Sequence, residues 1–130
     1  MATIEEDYVS FETAKLLKDK GFDELCECAY SAGGQYLLSC YKGIADRRIK
    51  NDEALDFSYS STAPTLQMAM KWLREVYNFH IWIEPNHDKE GLYNAHVKVG
   101  WWSNNWGGVG YNTYEQACEA AIKYCLEHLI

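Results

Sequence analysis

The chain has 130 residues, a net charge of −7 at pH 7 and an aromatic content of 15 %. This length predicts a single domain over 1–130 that buries one core without support from disulfides or a structural metal. The negative charge repels phosphate backbones and anionic membrane surfaces, so it argues against general nucleic-acid binding unless a local basic patch overrides it.

The first predicted helix covers 11–20. Ser10 stands where a hydroxyl accepts a hydrogen bond from the first turn, and Gly21 supplies the left-handed residue that ends many helices. Beyond it, two apolar segments, 25–30 and 35–41, flank a pair of glycines. This pattern predicts two antiparallel strands joined by a tight turn.

The stretch 42–62 is polar and charged, and it lacks periodicity until 55–59. A structureless connection of this length is uncommon in a compact domain. We therefore expect a flexible insertion that ends in a short strand.

The second predicted helix begins at Pro64, which suits the first helical position, and apolar residues then recur every three or four positions. The period changes to two over 79–84 and again over 93–99. A polar link ending in Gly91 joins these segments, so they predict a hairpin, and 106–111 predicts a third strand.

The third predicted helix begins after Thr113, and Gln116 three residues later completes a capping box. Cys118 and Cys125 lie on the apolar stripe of this helix. Since buried thiols behave as small apolar side chains, both cysteines are predicted to be inert.

Together these elements predict an α+β fold with three helices and an antiparallel sheet of about four to six strands. The expected order is α-β-β-(β)-α-β-β-(β)-α. A helix followed by a hairpin occurs twice, and both an ancient αββ duplication and a coincidence fit this repetition.

Three blocks of sequence stand at the helices: YVSFETAKLL with KGF behind it over 8–22, APT with QMA and WLRE over 63–75, and YE, EAA and KYCLE over 114–127. These blocks resemble an uncharacterised family of small proteins that is widespread in gut anaerobic bacteria and in their phages and prophages. The resemblance implies one domain and an accessory gene of phage or mobile-element origin. It provides no catalytic residues.

The five cysteines form an odd set without a Cys-x-x-Cys pair, and the first residues are acidic. No apolar run approaches the roughly 18 residues of a membrane span. We therefore expect reduced thiols in a cytoplasmic protein that has neither a signal peptide nor a membrane anchor.

The sequence lacks the usual catalytic and phosphate-binding motifs. There is no Gly-x-Ser-x-Gly, and the glycine-rich segment 106–110 lacks the Gly-Lys-Ser/Thr of a phosphate-binding loop. Cys26, Cys28 and Cys40 could meet across the first hairpin, but zinc needs a fourth ligand and normally a Cys-x₂₋₄-Cys pair, which this sequence lacks. We expect no catalytic residue, no cofactor and no metal.

Two candidate binding surfaces remain. In a register that places Trp82 opposite Asn94 or His96, the even-numbered residues of the second hairpin share one face. This face carries imidazoles, a carboxylate, an ammonium and an indole: His80, Trp82, Glu84, Asn94, His96 and Lys98. It could bind a ligand or a partner, and an ordinary half-buried sheet face is the simpler interpretation.

The second candidate is the tryptophan-rich stretch 100–108. Trp101 continues the inward alternation of the preceding strand and is predicted to be core, whereas Trp102 and Trp106 are free to be exposed. Exposed tryptophans can stack on a sugar or a base, or anchor a protein partner. The alternative is that both pack against the third helix or the long loop.

The acidic charge, the aromatic surplus and the missing catalytic motifs favour a non-catalytic interaction protein that binds a protein partner or itself. The first alternative is a nucleic-acid accessory, because helix-strand-strand-strand-helix is the order of double-stranded-RNA-binding domains. The second alternative is a small enzyme that uses His80 or His96 as an acid-base.

Overall fold

The computed structural model describes residues 4–31, 36–39, 48–52, 59–101 and 105–130. They form two compact units, Met1–Thr65 and Leu66–Ile130. The single-domain prediction stays a prediction. Among the described residues, no helix has both the length and the apolar character needed to cross a membrane.

The α+β class and the order of elements are confirmed. The first unit contains α1 (Phe11–Asp19), β1 (Cys28–Ser31), β2 (Leu37–Ser39) and β3 (Tyr59–Ala63). The second contains α2 (Leu66–Tyr77), β4 (Phe79–Pro85), β5 (Tyr93–Val99), β6 (Asn105–Tyr111) and α3 (Tyr114–Tyr124), which ends in a π-helical turn, Cys125–Leu129. We expected one antiparallel sheet of about four to six strands, but the described strands form two antiparallel three-stranded sheets, in the orders β2-β1-β3 and β4-β5-β6.

The ends of α1 follow from its local sequence. The Ser10 hydroxyl accepts a hydrogen bond from the Thr13 N–H at 3.3 Å. At the other end Gly21 adopts a φ of +93°, and the Phe22 N–H donates to the Leu17 carbonyl at 2.9 Å. Since the Phe22 side chain is 1 % exposed, the chain leaves the helix with an apolar residue in the core.

The described part of the predicted insertion is anchored to the first unit. Ile49 is 3 % exposed, and its backbone exchanges hydrogen bonds of 2.8 and 3.0 Å with Cys26. The strand that we expected over 55–59 begins at Tyr59, as β3, and residues 53–58 lie outside the described residues. Flexibility of the insertion therefore stays a prediction.

In the second unit, α2 and α3 pack on one face of the sheet. That face carries the odd-numbered residues of β5, of which Ala95 and Val97 are buried. Asn78 joins α2 to β4 within one residue by taking a φ of +61°, a conformation that asparagine tolerates better than most residues. The even-numbered residues of β4 and β5 lie on the other face of this sheet.

Trp101 is 70 % exposed, so its assignment to the core is wrong. The strand ends at Val99, and Gly100 turns the chain with a φ of +65°. Because the strand alternation stops at this turn, it no longer determines the direction of the next side chain.

Candidate functional site

The outer face of the second sheet, meaning the even-numbered residues of β4 and β5, collects four of the predicted site residues. The observed register places His80 opposite Lys98 and Trp82 opposite His96. Strand alternation puts all four side chains on the face that does not carry α2 and α3.

Three side chains on this face form a connected group. The Trp82 indole and the His96 imidazole stack with centroids 4.9 Å apart and planes 16° apart. The His96 Nε2–H donates to the Glu84 Oε1 at 2.7 Å. Trp82 is nevertheless 42 % exposed. It is therefore a solvent-facing aromatic residue whose orientation is fixed by stacking on His96.

His80 belongs to a separate contact. Its Nε2 lies 2.9 Å from the Asn78 Oδ1, and its ring lies 5.5 Å from the Trp101 ring at a tilt of 45°. The two histidines of the outer face are thus each placed against a different tryptophan and hydrogen-bonded to a different side chain.

Asn94 has a structural role at one end of this face. Its Oδ1 accepts from the Asn86 Nδ2 at 2.9 Å and from the Gly110 N–H at 3.3 Å, and the residue is 9 % exposed. It therefore ties the β4–β5 turn to β6.

The two described tryptophans of the tryptophan-rich stretch lie in different places: Trp101 lies beside His80 of the outer face, whereas Trp106 does not lie on that face. Trp106 pairs with Val97 and is half-buried on the face that carries the helices. Its indole stacks on the Tyr124 ring of α3, with centroids 4.7 Å apart and planes 16° apart. Trp102 lies outside the described residues.

A groove beside β4 was not predicted from the sequence. It has a volume of about 440 Å³ and lies between α2, the first residue of α3 and the outer edge of β4. The lining residues are Gln67, Met70, Lys71, Arg74, Ile81, Trp82, Ile83 and Tyr114. Gln67, Lys71 and Arg74 form a polar stripe on α2, but such a stripe on an amphipathic surface helix does not by itself indicate a groove.

Two features limit the chemistry of the described residues. No three His, Cys, Asp or Glu side chains among them converge in a way that could hold a metal ion. Burial raises the pKa of the Cys118 thiol to about 11 and that of the Cys125 thiol to about 12. At neutral pH both are protonated and therefore poor nucleophiles.

No protein-family model, curated protein or solved structure matches this chain. The arrangement of side chains on the second sheet thus supplies the structural basis for a functional proposal.

Proposed function

We propose that the protein is a non-catalytic interaction protein that binds a protein partner or a second copy of itself. The binding surface is the part of the outer face around Trp82. One observation carries the proposal: Trp82 is 42 % exposed, yet it stacks on His96, and Glu84 holds His96 by a hydrogen bond of 2.7 Å.

This arrangement has the physical properties of a binding anchor. Tryptophan is enriched among the few residues that carry most of an interface's energy, because it buries a large apolar area. A side chain that is already oriented loses little further rotamer freedom on binding. The His96–Glu84 pair therefore lowers the cost of using Trp82 as an anchor.

The resemblance of the helix-bearing blocks supports an accessory role for a gene of phage or mobile-element origin. The odd number of cysteines, of which four described ones form no disulfide, supports a cytoplasmic setting. Both statements are part of the proposal.

The test uses a random peptide library displayed on phage and panned against the purified protein. We expect selected peptides to bind about thirtyfold more weakly to Trp82→Ala, which corresponds to the loss of a hot-spot residue of about 2 kcal/mol. Trp101→Ala is the matched control, since it removes a more exposed indole from the same unit, and it should change the affinity less than about threefold. Self-association is measured in parallel by sedimentation. The proposal is wrong if the protein neither self-associates nor yields any peptide whose binding depends on Trp82.

One observation favours the nucleic-acid alternative. The elements α2-β4-β5-β6-α3 follow the helix-strand-strand-strand-helix order, and strands that are consecutive in the sequence are also neighbours in the sheet. Against it, 66–130 contains five basic and seven acidic residues, and Glu115 stands in the first turn of α3. We therefore expect no salt-dependent binding to duplex RNA. A titration showing affinity that falls steeply with salt would support the alternative.

A further inference from the structure

The outer edge of β4 has backbone groups that point away from β5. At one end the Asn78 carbonyl accepts from the Gly100 N–H, and at the other the Asn86 N–H donates to the Leu92 carbonyl, both at 2.8 Å. Hydrogen-bonded pairs alternate along an antiparallel ladder, so the even-numbered residues of β4 bond to β5. The odd-numbered residues consequently direct their N–H and C=O groups outward.

These outward groups belong to Phe79, Ile81 and Ile83, together with the carbonyl of Pro85. Within Leu66–Ile130, no described residue pairs with this side of β4. The seven residues of β4 keep one register with β5 throughout, whereas β6, the opposite edge, has an irregular register and contains three glycines. A long, regular and apolar edge is a template for another strand, and β4 fits this description better than β6.

The residue order of β4 is self-complementary around Trp82. Two positions before Trp82 stands His80 and two positions after it stands Glu84, while an isoleucine flanks it on each side. We propose that two copies of this chain pair antiparallel along β4, with Trp82 at the two-fold axis. This inference rests on the proposed function and names its partner as a second copy.

In this register the contacts across the axis are favourable on both faces and along the backbone. The outward N–H and C=O groups of Ile81 bond to the C=O and N–H groups of the partner's Ile83. The two-fold axis generates the same pair between Ile83 and the partner's Ile81. On the outer face Trp82 meets the partner's Trp82, and His80 meets the partner's Glu84 twice. On the opposite face the isoleucine side chains meet, and cross-strand apolar and polar pairs of this kind stabilise sheets.

Neighbouring registers lose these contacts. A shift by two residues in one direction places Trp82 opposite His80 and Ile83 opposite Phe79, and Glu84 then meets Asn78. A shift in the other direction places Trp82 opposite Glu84 and Ile81 opposite Pro85, which has no N–H to donate. The pairing of His80 with Glu84 and two isoleucine pairs therefore coincide in the symmetric register.

The groove of about 440 Å³ leaves space beside β4 on the side where Ile81 and Ile83 lie. Lys71 also lines the groove and would approach its symmetry equivalent, and each copy carries a charge of −7. Repulsion between the two Lys71 side chains and repulsion between the two negatively charged copies both oppose association at low ionic strength. The self-association should therefore strengthen as the salt concentration rises to about 0.15 M.

A disulfide trap tests the register. Residues at a non-hydrogen-bonded antiparallel pair have Cα atoms about 4.5 Å apart, which a disulfide spans. Loss of the indole weakens the reversible dimer, but oxidation traps even a transient encounter in this register, so Trp82→Cys should form, under mild oxidation, a reducible species of twice the 15.0 kDa chain mass. Val109→Cys is the control, because Val109 is 74 % exposed on β6 and should cross-link no faster than the unmodified protein.

Sedimentation equilibrium tests the backbone pairing. Ile83→Pro removes an outward N–H that β5 does not use, and edge strands tolerate proline at such positions. Ile83→Ala removes the same side chain but keeps the N–H. Two hydrogen bonds are lost per dimer by symmetry, so we expect dimerisation of Ile83→Pro to be at least about tenfold weaker than that of Ile83→Ala. Circular dichroism checks that both variants fold.

A charge change tests the pairing of His80 with the partner's Glu84. His80→Glu should weaken the dimer by at least about tenfold through like-charge contacts across the axis. His87→Glu makes the same change in the exposed β4–β5 turn and should leave the dimer within about threefold of the unmodified protein.

The inference is overturned if the protein stays monomeric at its highest soluble concentration and Trp82→Cys fails to cross-link. A dimer that Ile83→Pro and His80→Glu leave unchanged overturns it as well, since another surface would then be responsible. If the protein is monomeric but its peptide ligands still depend on Trp82, the dimer is wrong and the proposed function stands.

Discussion

Replacement of Asn51 by alanine should destabilise the first unit strongly. Asn51 is 9 % exposed, and its amide joins two distant backbone segments. Its Nδ2 donates to the Phe22 carbonyl at 2.8 Å, and its Oδ1 accepts from the Thr62 N–H at 2.8 Å. Alanine removes both partners and leaves a carbonyl and an N–H unsatisfied in a buried site.

Each buried backbone group left without a partner costs roughly 1–3 kcal/mol. Two groups give a range of roughly 2–6 kcal/mol, and partial access of water places our expectation for Asn51→Ala at about 3 kcal/mol. For a chain of this length that loss lowers the melting temperature by about 10 °C. Urea unfolding followed by circular dichroism measures the change in the free energy of unfolding.

Asp52→Ala is the matched control for this experiment. Asp52 is exposed, and its hydrogen bond to Asp23 uses the backbone N–H, which donates to the Asp23 Oδ1 at 3.2 Å. Alanine keeps that N–H, so the free energy of unfolding should change by less than about 0.5 kcal/mol. An equally small effect of Asn51→Ala would refute the reasoning, because it would mean that the two backbone groups find other partners.

Two further predictions concern the second unit. The Cys118 and Cys125 thiols, with pKa values raised to about 11 and about 12 by burial, should resist iodoacetamide at pH 8 in the native state and react after unfolding. Burial raises the pKa of both thiols above the ordinary thiol value of 9.0, so their contribution to the free energy of unfolding is present below pH 9 and is lost as the pH rises toward 11 to 12. A urea midpoint that stays constant over this pH range would contradict this expectation. Gly108→Ala should cost about 1–3 kcal/mol, since its added Cβ would lie 2.8 Å from Trp106 Cη2. Gly107→Ala, with no atom within 3.8 Å of the added Cβ, should be nearly neutral in the same urea titration.

The helices could be predicted from the sequence because their signals are local. Ser10 caps α1 through the Thr13 N–H, and the Thr113 hydroxyl caps α3 by accepting from the Gln116 N–H at 3.0 Å. A cap involves residues three positions apart, so the sequence contains both the donor and the acceptor. The alternation of β4 and β5 is local in the same sense, and it correctly places His80, Trp82, His96 and Lys98 on one face of the sheet.

What could not be predicted depends on contacts between distant residues. The pairing of β1 with β3 joins segments about thirty positions apart, and nothing in their composition indicates that two separate three-stranded sheets form. The anchoring of Ile49 on Cys26 is equally non-local. Trp101 was assigned to the core because the alternation was carried past Gly100, where the backbone takes a positive φ.

The groove and the open edge were missed for a related reason. A sequence pattern shows which residues share a face, but it does not show which strand lies at the edge of a sheet. Lys71 and Arg74 are ordinary surface residues of an amphipathic helix until β4 is known to be the neighbouring edge strand. Candidate binding groups can thus be recognised one at a time, whereas their combination requires the topology.

That combination restricts what can bind at β4. The strand offers an oriented indole on one face, two isoleucines beside a groove on the other, and outward backbone groups between them. A rigid helix or a flat surface could cover one face but would leave the backbone groups unsatisfied, which is costly on burial. Duplex RNA would need a cationic surface, whereas Glu84 lies beside Trp82 on the outer face. An extended strand satisfies all three features at once, and a second β4 adds the pairing of His80 with Glu84.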